Sequence, residues 1–335
     1  MLKSQSIVTL RIMTSAAETP HPSLNTLAVV LEKPEQLVLS RLELSAPGDE
    51  DVVVDMEWSG ISTGTERLLW SGRMPAFPGL GYPLVPGYES VGVITHAGTR
   101  AARQVGERVF VPGARCFGEV RGLFGGAAAK VVVPGVRVTP IKNMGEEGVL
   151  LALAATAYHA VTAKNSNLPD LIIGHGVLGR LIARLAVVLG AEAPVVWERN
   201  PNRVDGSAGY TVLHPDADTC RGYRAIYDVS GDSSLLDTLI ARLAPGGEIV
   251  LAGFYSQSLS FAFPAAFMRE ARIRIAAEWR EADLEAVRQL VESGRLQLDG
   301  LITHRQEASA APAAYRTAFT DPSCLKMVLD WRALS

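Results

Sequence analysis

Tyr88 and Glu89 place a phenol beside a carboxylate within the stretch LVPGYESVG, residues 84–92. Glycines flank the pair, and a turn requires neither a tyrosine nor a glutamate. A phenol and a carboxylate in one site can position an alcohol and exchange a proton with it. The same residues could instead belong to a turn that happens to be polar. The sequence leaves both interpretations open.

A second candidate for chemistry is the loop GHGVLG, residues 174–179, which matches the pattern GxGxxG. The pattern alone is weak, but here it follows the apolar run LII and opens a segment with helical apolar spacing. Gly174 permits a tight turn, Gly176 lets the backbone approach a pyrophosphate, and Gly179 lets the helix pack on the strand. The helix N-terminus offers amide groups and partial positive charge to the phosphates. The other loop residues assigned to this predicted dinucleotide site are His175, Val177 and Leu178.

An acidic residue follows this loop at the spacing that a dinucleotide site requires. Glu198 ends the apolar run VVWE, about 20 residues after Gly179. A carboxylate there can hold both ribose hydroxyls and repels a 2′-phosphate, which favours NAD over NADP. The neighbouring Arg199 argues the other way, because an arginine can pair with that phosphate. We predict an NAD site that includes Glu198 and Arg199; the alternative is a structural glycine turn beside a surface glutamate.

The segments around these residues change character near residue 150. Residues 26–150 hold short β-rich runs separated by proline and glycine, which indicates an irregular, barrel-like β unit. Over 151–280 apolar strands alternate with helices, which indicates an α/β unit with a parallel sheet covered on both faces. Ser230 and Gly253 lie near the ends of the strand-like runs YRAIYDVSG and GGEIVLAGF, and both are assigned to the cofactor site. Residues 281–335 form a last, separate segment.

Composition limits the classes of function. A chain of 335 residues favours two domains, and a net charge of -3 predicts no attraction to nucleic acid or to an anionic membrane. Cys116, Cys220 and Cys324 form no CxxC pair, so neither a four-cysteine zinc site nor a disulfide framework is indicated, and a reducing cytoplasm fits best. The apolar run over 149–161 is too short to span a membrane. Residues 1–25 are interpreted as a disordered tail.

The order of these segments and four motifs resemble the medium-chain dehydrogenase/reductase superfamily. The motifs are GISTGTE (60–66), PLVPGYESVG (83–92), GERVFVPG (106–113) and ATAYHA (155–160). The resemblance covers nearly everything after residue 26. It implies a GroES-like catalytic domain, a Rossmann domain with a doubly wound parallel sheet, and an active site in the cleft between them. The last segment is then a return to the catalytic domain.

The zinc ligands of this superfamily are missing from the chain. In its zinc alcohol dehydrogenases the first motif carries a cysteine ligand, the second reads Gly-His-Glu with a histidine ligand, and another cysteine precedes Thr-x-Tyr. The matching positions here hold Ser62 or Thr63, Tyr88, and Ala152 or a neighbour. Serine, tyrosine and alanine cannot hold zinc in a three-ligand open site. No metal is therefore expected.

The resemblance also implies which polar residues lie in the cleft. The candidate acids and bases are Tyr88, Glu89, Thr65, Glu66 and His159. Thr156, in the Thr-x-Tyr motif, is expected to contact the nicotinamide. A free phenol has a pKa of about 10, too high for an efficient base at neutral pH. Tyr88 is therefore expected to position the substrate hydroxyl, and its use as the base stays open.

Longer stretches are similar to a zinc-free branch of the superfamily that acts in bacteriochlorophyll biosynthesis. Two of them are WSGISTGTERLLWSGRMPAFPGLGYPLVPGYESVG (58–92) and AIYDVSGDSSLLDTLIARLAPGGEIVLAGFY (225–255). The similarity implies a tetrapyrrole substrate, a bacteriochlorophyllide, whose 3-(1-hydroxyethyl) group is oxidised to acetyl with NAD as hydride acceptor. The apolar loop RMPAFPGLGYP (73–83) fits such a substrate, because exposed apolar loops usually have a hydrophobic partner.

Two other functions remain compatible with the sequence. A zinc-free quinone or enone reductase of the same superfamily would share the cofactor motif but would usually favour NADPH. A non-catalytic nucleotide-binding sensor would bind the cofactor and turn over neither pigment nor quinone. Whether the chain forms a homo-oligomer also stays open.

Overall fold

A computed structural model of the chain describes residues 24–76 and 78–334. The tail predicted over 1–25 lies outside the described residues, except for Leu24 and Asn25. Asn25 already belongs to the first strand. Within the described residues, no helix is both long and apolar enough to cross a membrane.

The first part of the chain forms short strands, as its separated β-rich runs predict. They are β1 (Asn25–Lys33), β2 (Gln36–Glu43), β3 (Asp51–Ile61), β4 (Leu84–Val85), β5 (Ser90–Ala97), β6 (Arg108–Val111), β7 (Arg121–Gly122), β8 (Lys130–Pro134) and β9 (Thr139–Pro140). The helix α1 (Thr65–Trp70) follows β3. The long strand β3 pairs with β5 along one edge and with β8 along the other.

Two sheets enclose one core in this β unit. The first has the order β2-β1-β4-β7. The second includes two late strands, β16 (His304–Glu307) and β17 (Met327–Asp330), and has the order β16-β17-β3-β5-β6-β9, with β8 beside β3. Buried side chains from both sheets, among them Val29, Val54 and Met327, belong to one hydrophobic cluster. The predicted irregular β unit is confirmed.

The second part alternates strands and helices. Its elements are α2 (Leu151–Val161), β10 (Leu171–Ile173), α3 (Val177–Val188), β11 (Val195–Trp197), β12 (Thr211–Leu213), β13 (Tyr223–Asp228), α4 (Leu236–Ile240), β14 (Leu243–Leu251), α5 (Phe263–Phe267) and β15 (Arg272–Ile275). The six-stranded sheet is parallel throughout, in the order β12-β11-β10-β13-β14-β15. The strand order reverses between β10 and β13, which creates the crevice where such sheets bind ligands. The predicted doubly wound α/β sheet is confirmed.

The last described segment runs back to the β unit. It contains α6 (Glu281–Glu292), β16, α7 (Ala311–Thr320) and β17. β17 pairs antiparallel with β3, so that Met327 lies opposite Ile61. Trp331, just after β17, is fully buried. This pairing brings the residues before β17 next to the motif that begins at Gly60.

Candidate active site

Tyr88 lies at the centre of a group of hydroxyls. The turn before it needs Gly87, which has a φ of +95° and would place a Cβ 2.8 Å from the Ala127 amide nitrogen. After this turn the Tyr88 hydroxyl lies 2.9 Å from Ser62 Oγ and 3.5 Å from Thr65 Oγ1. Ser62 and Thr65 follow β3, so the sheet holds the two motifs against each other. The structure therefore brings together Ser62 and Tyr88, two residues that the sequence analysis matched to zinc-ligand positions, and adds Thr65 beside them.

The electrostatics at Tyr88 favour its neutral form. Burial raises the pKa of Tyr88 above its ordinary value of 10, and the charge of the adjacent Glu89 carboxylate raises it further. A phenol with such a pKa stays protonated at neutral pH, and in that state it donates one hydrogen bond and accepts others. Tyr88 is thus suited to hold a substrate hydroxyl rather than to remove its proton.

Glu89 forms a buried ion pair that the sequence did not reveal. Its carboxylate accepts a hydrogen bond from Lys326 Nζ, and both side chains are almost completely buried. Lys326 also donates to the Ile61 carbonyl at 3.3 Å. Burial raises the pKa of Glu89, and the ammonium of Lys326 opposes that shift. The other carboxylate oxygen, Oε1, has no hydrogen-bond partner among the described residues.

Glu66 is a second buried carboxylate beside this pair. Its Oε1 accepts from the Ser62 amide at 3.0 Å, and its Oε2 accepts from the Tyr315 hydroxyl at 2.6 Å. Burial raises the pKa of Glu66 to about 7, against the effect of these hydrogen bonds. A group with this pKa changes its charge near neutral pH. We call Ser62, Thr65, Glu66, Tyr88, Glu89, Tyr315 and Lys326 the acid–base cluster.

His159 is not joined to this cluster by its hydrogen bond. Its Nδ1 lies 2.8 Å from Asp283 Oδ2, so the ring links α2 to the first turn of α6. Asp283 also accepts from the Arg280 amide at 2.8 Å and caps that helix. Thr156, on the same helix as His159, is half-buried and donates to the Ala152 carbonyl at 2.9 Å.

Two members of the acid–base cluster were missed by sequence reasoning. Tyr315 lies on α7 and Lys326 just before β17, and both are far from Tyr88 along the chain. Neither belongs to a motif whose spacing predicts a role. The signal that could have pointed to Lys326 is a lysine inside the otherwise apolar run CLKMVLDW, since a buried lysine requires an acidic partner.

Apolar side chains lie next to Tyr88. The Phe124 ring meets the Tyr88 ring edge-on, with centroids 5.3 Å apart. Phe124, together with Met74 and Leu80 of the apolar loop, packs against one small hydrophobic cluster that includes Leu123, and we call these four residues the apolar wall. The loop is described except for residue 77. The hydroxyls of the cluster thus have a hydrophobic surface beside them, as a flat apolar substrate with one polar group would need.

The glycine loop has the shape of a phosphate cradle. Gly174 has a φ of +103°, and a Cβ on Gly179 would lie 1.9 Å from the Gly174 carbonyl oxygen. Both positions therefore require glycine. A Cβ on Gly176 would meet no atom within 4 Å. Gly176 also caps α3 with an ordinary φ of -75°, so the chain itself does not require glycine there. The open space in front of Gly176 is where a pyrophosphate can approach the helix N-terminus.

Glu198 closes the other side of this cradle. Its two carboxylate oxygens accept from the His175 amide at 3.0 Å and from the Asn200 amide at 2.8 Å. The His175 side chain is fully buried, with Nδ1 2.6 Å from the Arg203 carbonyl and Nε2 2.8 Å from the Tyr210 hydroxyl. Burial lowers the pKa of His175 to about 4, so the ring is neutral. Any contact of His175 with a cofactor is therefore made by its backbone.

The remaining predicted cofactor residues lie along the carboxyl edge of the sheet. The Ser230 hydroxyl donates to Asp228 at 2.6 Å, and the Gly253 amide donates to the Asp228 carbonyl at 3.0 Å. Arg199 is exposed, and its charge contributes to the lowered pKa of Asp232, after the larger effect of hydrogen bonds from Ser234. In the loop, Val177 is buried and Leu178 half-buried.

The described residues offer no set of ligands for a metal. Among them, no group of three or more His, Cys, Asp or Glu side chains could hold an ion. Of the positions that match zinc ligands, Ser62 and Tyr88 bond to each other and Ala152 is fully buried. The donor set therefore does not fit zinc.

Comparisons with known proteins agree with this fold. The alcohol dehydrogenase GroES-like domain matches residues 48–143. The 2-desacetyl-2-hydroxyethyl bacteriochlorophyllide A dehydrogenase of Rhodobacter capsulatus is 55% identical over 311 residues, 92% of this chain and 99% of that protein. The protein of the same name from Cereibacter sphaeroides is 54% identical over 316 residues, again 92% and 99%. The structure of L-idonate 5-dehydrogenase from Escherichia coli has a TM-score of 0.81 at 17% identity, covers 92% of this chain and 99% of its own, and shows a shared fold.

Proposed function

The chain belongs to the family of the 2-desacetyl-2-hydroxyethyl bacteriochlorophyllide A dehydrogenases, within the medium-chain dehydrogenase/reductase superfamily, and from that membership we propose that it oxidises the 3-(1-hydroxyethyl) group of a bacteriochlorophyllide to a 3-acetyl group. The observation that carries the proposal is the 55% identity to a protein of that name over 92% of the chain. The predicted alcohol-dehydrogenase type of oxidoreductase is confirmed by the same relatives. The acid–base cluster and the apolar wall beside it support the choice of an alcohol on a large hydrophobic ring.

The reaction removes a hydride from the carbinol carbon and a proton from its oxygen, which leaves a carbonyl group. NAD, when bound, accepts the hydride. Three features of the chain suit that cofactor: the open space at Gly176, the amides of α3, and the carboxylate of Glu198. Each Glu198 oxygen accepts one backbone hydrogen bond and retains a lone pair for a ribose hydroxyl. The negative charge there disfavours a 2′-phosphate, so we propose NAD rather than NADP.

Glu198→Ala is expected to weaken NADH binding about 10-fold, because the ribose hydroxyls lose their charged acceptor. Discrimination against NADPH should decrease as well, because the repelling charge is gone. Titration of nucleotide fluorescence for both cofactors measures these changes. An Asp205→Ala variant, which changes an exposed acid farther along the same connection, serves as the matched control. Unchanged affinities for both nucleotides in Glu198→Ala would contradict the assignment.

The chain's own residues can support this oxidation without zinc. In the zinc enzymes the metal stabilises an alkoxide. Here the carbinol carbon is attached to an extended π-system, which can share positive charge as the hydride leaves. When Glu66 and Glu89 are both ionised, the acid–base cluster has a net charge of minus one, because Lys326 supplies a single positive charge. This negative charge stabilises the positive charge that develops on the carbinol carbon. Tyr88 and Ser62 then hold the alcohol oxygen by hydrogen bonds. The proton on that oxygen becomes strongly acidic as positive charge develops on the carbinol carbon, and it passes to solvent water.

Tyr88→Phe separates a positioning role from a role as base. The variant keeps the ring against Phe124 and removes the hydroxyl that contacts Ser62. Loss of one positioning hydrogen bond costs about 1 kcal/mol, so the turnover rate should fall about 5-fold. Loss of a general base would lower it about 100-fold or more. Because the pKa of Tyr88 is raised, we expect the smaller effect, measured as kcat across pH. A 100-fold loss would assign the proton transfer to Tyr88.

The proposal is tested by incubating the purified protein with NAD and the 3-(1-hydroxyethyl) pigment and following the absorption spectrum. A shift to the acetyl pigment that depends on NAD and persists with a metal chelator is expected. No shift would overturn the proposed activity, and turnover of a quinone with NADPH instead would identify a reductase. Loss of activity with the chelator, restored by zinc, would overturn zinc independence alone.

A further inference from the structure

The connection after β11 touches both halves of the molecule. It begins at Glu198 and continues into a short 3₁₀ turn over Pro201–Arg203. Asn200 starts this turn: its amide donates to Glu198 Oε1 at 2.8 Å, and its side chain accepts from the Asn202 amide at 3.0 Å. We call residues 200–203 the ribose-side strap, because they follow the acid that would hold the ribose.

The strap is fastened to the glycine loop on one side. The Arg203 carbonyl lies 2.6 Å from His175 Nδ1 and accepts from Arg180 Nη2 at 2.9 Å. Arg180 is almost fully buried and also donates from Nε to the His175 carbonyl at 3.0 Å. The backbone of Arg203 therefore has a fixed position relative to the predicted phosphate cradle.

On its other side the strap holds the segment that precedes β17. Arg203 donates from Nε to the Pro322 carbonyl at 2.8 Å and from Nη2 to the Cys324 carbonyl at 3.3 Å. The Asn200 side-chain amide donates to the same Pro322 carbonyl at 3.2 Å. Hydrogen bonds from a guanidinium to backbone carbonyls are charge-assisted and directional. The two carbonyls are thereby fixed from the nucleotide side.

The fixed segment carries the lysine of the acid–base cluster. Lys326 stands two residues after Cys324, and residues this close move together because the chain spans at most about 3.6 Å per residue. The Lys326 carbonyl accepts from the Thr303 and His304 amides, both at 3.1 Å. The Lys326 side chain reaches Glu89 in the β unit. A continuous series of contacts thus runs from Glu198 to Glu89.

We propose that Arg203 is a positioning residue for the reaction: it joins the ribose end of the cofactor site to the segment that carries Lys326, so that a cofactor bound at Glu198 steadies Lys326 against Glu89. The proposal rests on the proposed cofactor site. Its physical basis is mechanical. Ribose hydroxyls bound to Glu198 would restrict the motion of the strap, and the strap in turn restricts the motion of the Pro322 and Cys324 carbonyl groups. A bound cofactor thus holds the Lys326 ammonium against the Glu89 carboxylate, beside Tyr88, before the pigment reacts.

Amide hydrogen exchange tests this link without any turnover. The Cys324 amide donates to the Asp321 carbonyl at 3.1 Å and the Leu325 amide to Thr303 Oγ1 at 3.0 Å, so their exchange reports opening of the segment. Saturating NADH is expected to slow both amides about 10-fold in the parent protein. In Arg203→Ala, with NADH again saturating, that slowing should be much smaller, because only the Asn200 hydrogen bond to the Pro322 carbonyl still joins the strap to the segment. Arg203→Lys should keep part of it, because one ammonium can still reach one carbonyl.

Arg221→Ala is the matched control, since Arg221 is exposed in the same unit and, among the described residues, its side chain donates only to the neighbouring Cys220 carbonyl. It should behave as the parent. Equal slowing in Arg203→Ala and the parent, or none in a parent that binds NADH, would overturn the proposal. A parent that does not bind NADH would overturn the cofactor assignment itself. If Arg203→Ala does not fold, Arg203→Lys serves as the test: a slowing of exchange smaller than in the parent supports the proposal, and an equal slowing overturns it.

A kinetic measurement distinguishes positioning from simple support of the cofactor. With NAD and pigment both saturating, Arg203→Ala should lower kcat about 10-fold, and Arg203→Lys should restore part of that loss. A residue that only helps to hold the cofactor would raise the KM for NAD and leave kcat unchanged. A residue that only stabilises the fold would lower Tm and change neither constant. Either of the last two results would overturn the positioning role.

Discussion

Lys326→Met is expected to lower the free energy of unfolding by about 3–5 kcal/mol, because it leaves a buried carboxylate without its counter-charge. Methionine fills a similar volume, so the loss comes mainly from the charge of Glu89 and not from a cavity. Glu89 and Lys326 are 0% and 1% exposed, which keeps water from taking the place of the ammonium. Urea unfolding at neutral pH measures the change. The loss should shrink at low pH, where Glu89 becomes protonated and neutral in the variant.

Two controls make this prediction specific to the buried pair. The double variant Glu89→Gln with Lys326→Met removes both charges and should regain most of the stability. Lys130→Met breaks a partly exposed pair with Asp55 at 2.9 Å, with both side chains 26% exposed, and should cost less than about 1 kcal/mol. A loss equally small for Lys326→Met would mean that Glu89 is already neutral in the folded protein at neutral pH.

Gly176→Ala is expected to weaken NADH binding about 100-fold while leaving the stability nearly unchanged. The added methyl group meets no atom of the protein within 4 Å, and the backbone there is ordinary for alanine. It occupies the space through which the backbone would approach a pyrophosphate, and displacing that group by the width of a methyl costs about 3 kcal/mol. Nucleotide titration and a thermal scan on the same variant measure the two quantities.

Gly179→Ala, three residues on, is the contrasting variant. Its methyl group would lie 1.9 Å from the Gly174 carbonyl oxygen, so the loop or α3 must shift and stability should fall. If Gly176→Ala binds NADH as the parent does, the open space at Gly176 is not the pyrophosphate position. The two variants together separate a glycine that the ligand needs from one that the fold needs.

The six-stranded parallel sheet could be predicted from the sequence because its signals are local. Each strand is a short apolar run, and the glycine loop, α3 and the acid at Glu198 follow one another within one segment. The order of the strands in such a sheet follows from the handedness and shortness of its connections. The β unit was recognisable as a type, but apart from local pairs such as β1 with β2, its pairings of β3 with β17 and β8 join distant segments and leave no periodic pattern.

The acid–base cluster could be predicted only in part, for the same physical reason. Tyr88 and Glu66 belong to motifs, whereas Lys326 and Tyr315 reach them through the pairing of β17 and the packing of α7. His159 was a candidate acid or base from its motif, and that role stays a prediction. Its hydrogen-bond partner Asp283 lies on another helix, so the link between α2 and α6 could not be predicted from the motif.

The buried pair also has a consequence for how the protein is made. Glu89 and Lys326 are separated by 237 residues of chain. A ribosome adds roughly 5–20 residues per second, so Lys326 is synthesised roughly 10–50 s after Glu89. During that interval β3 lacks β17 at its edge, and the Glu89 carboxylate must stay in contact with water. The six-stranded parallel sheet ends with β15 at Ile275, so all its strands are available before then, and during translation it can fold first while the β unit closes last.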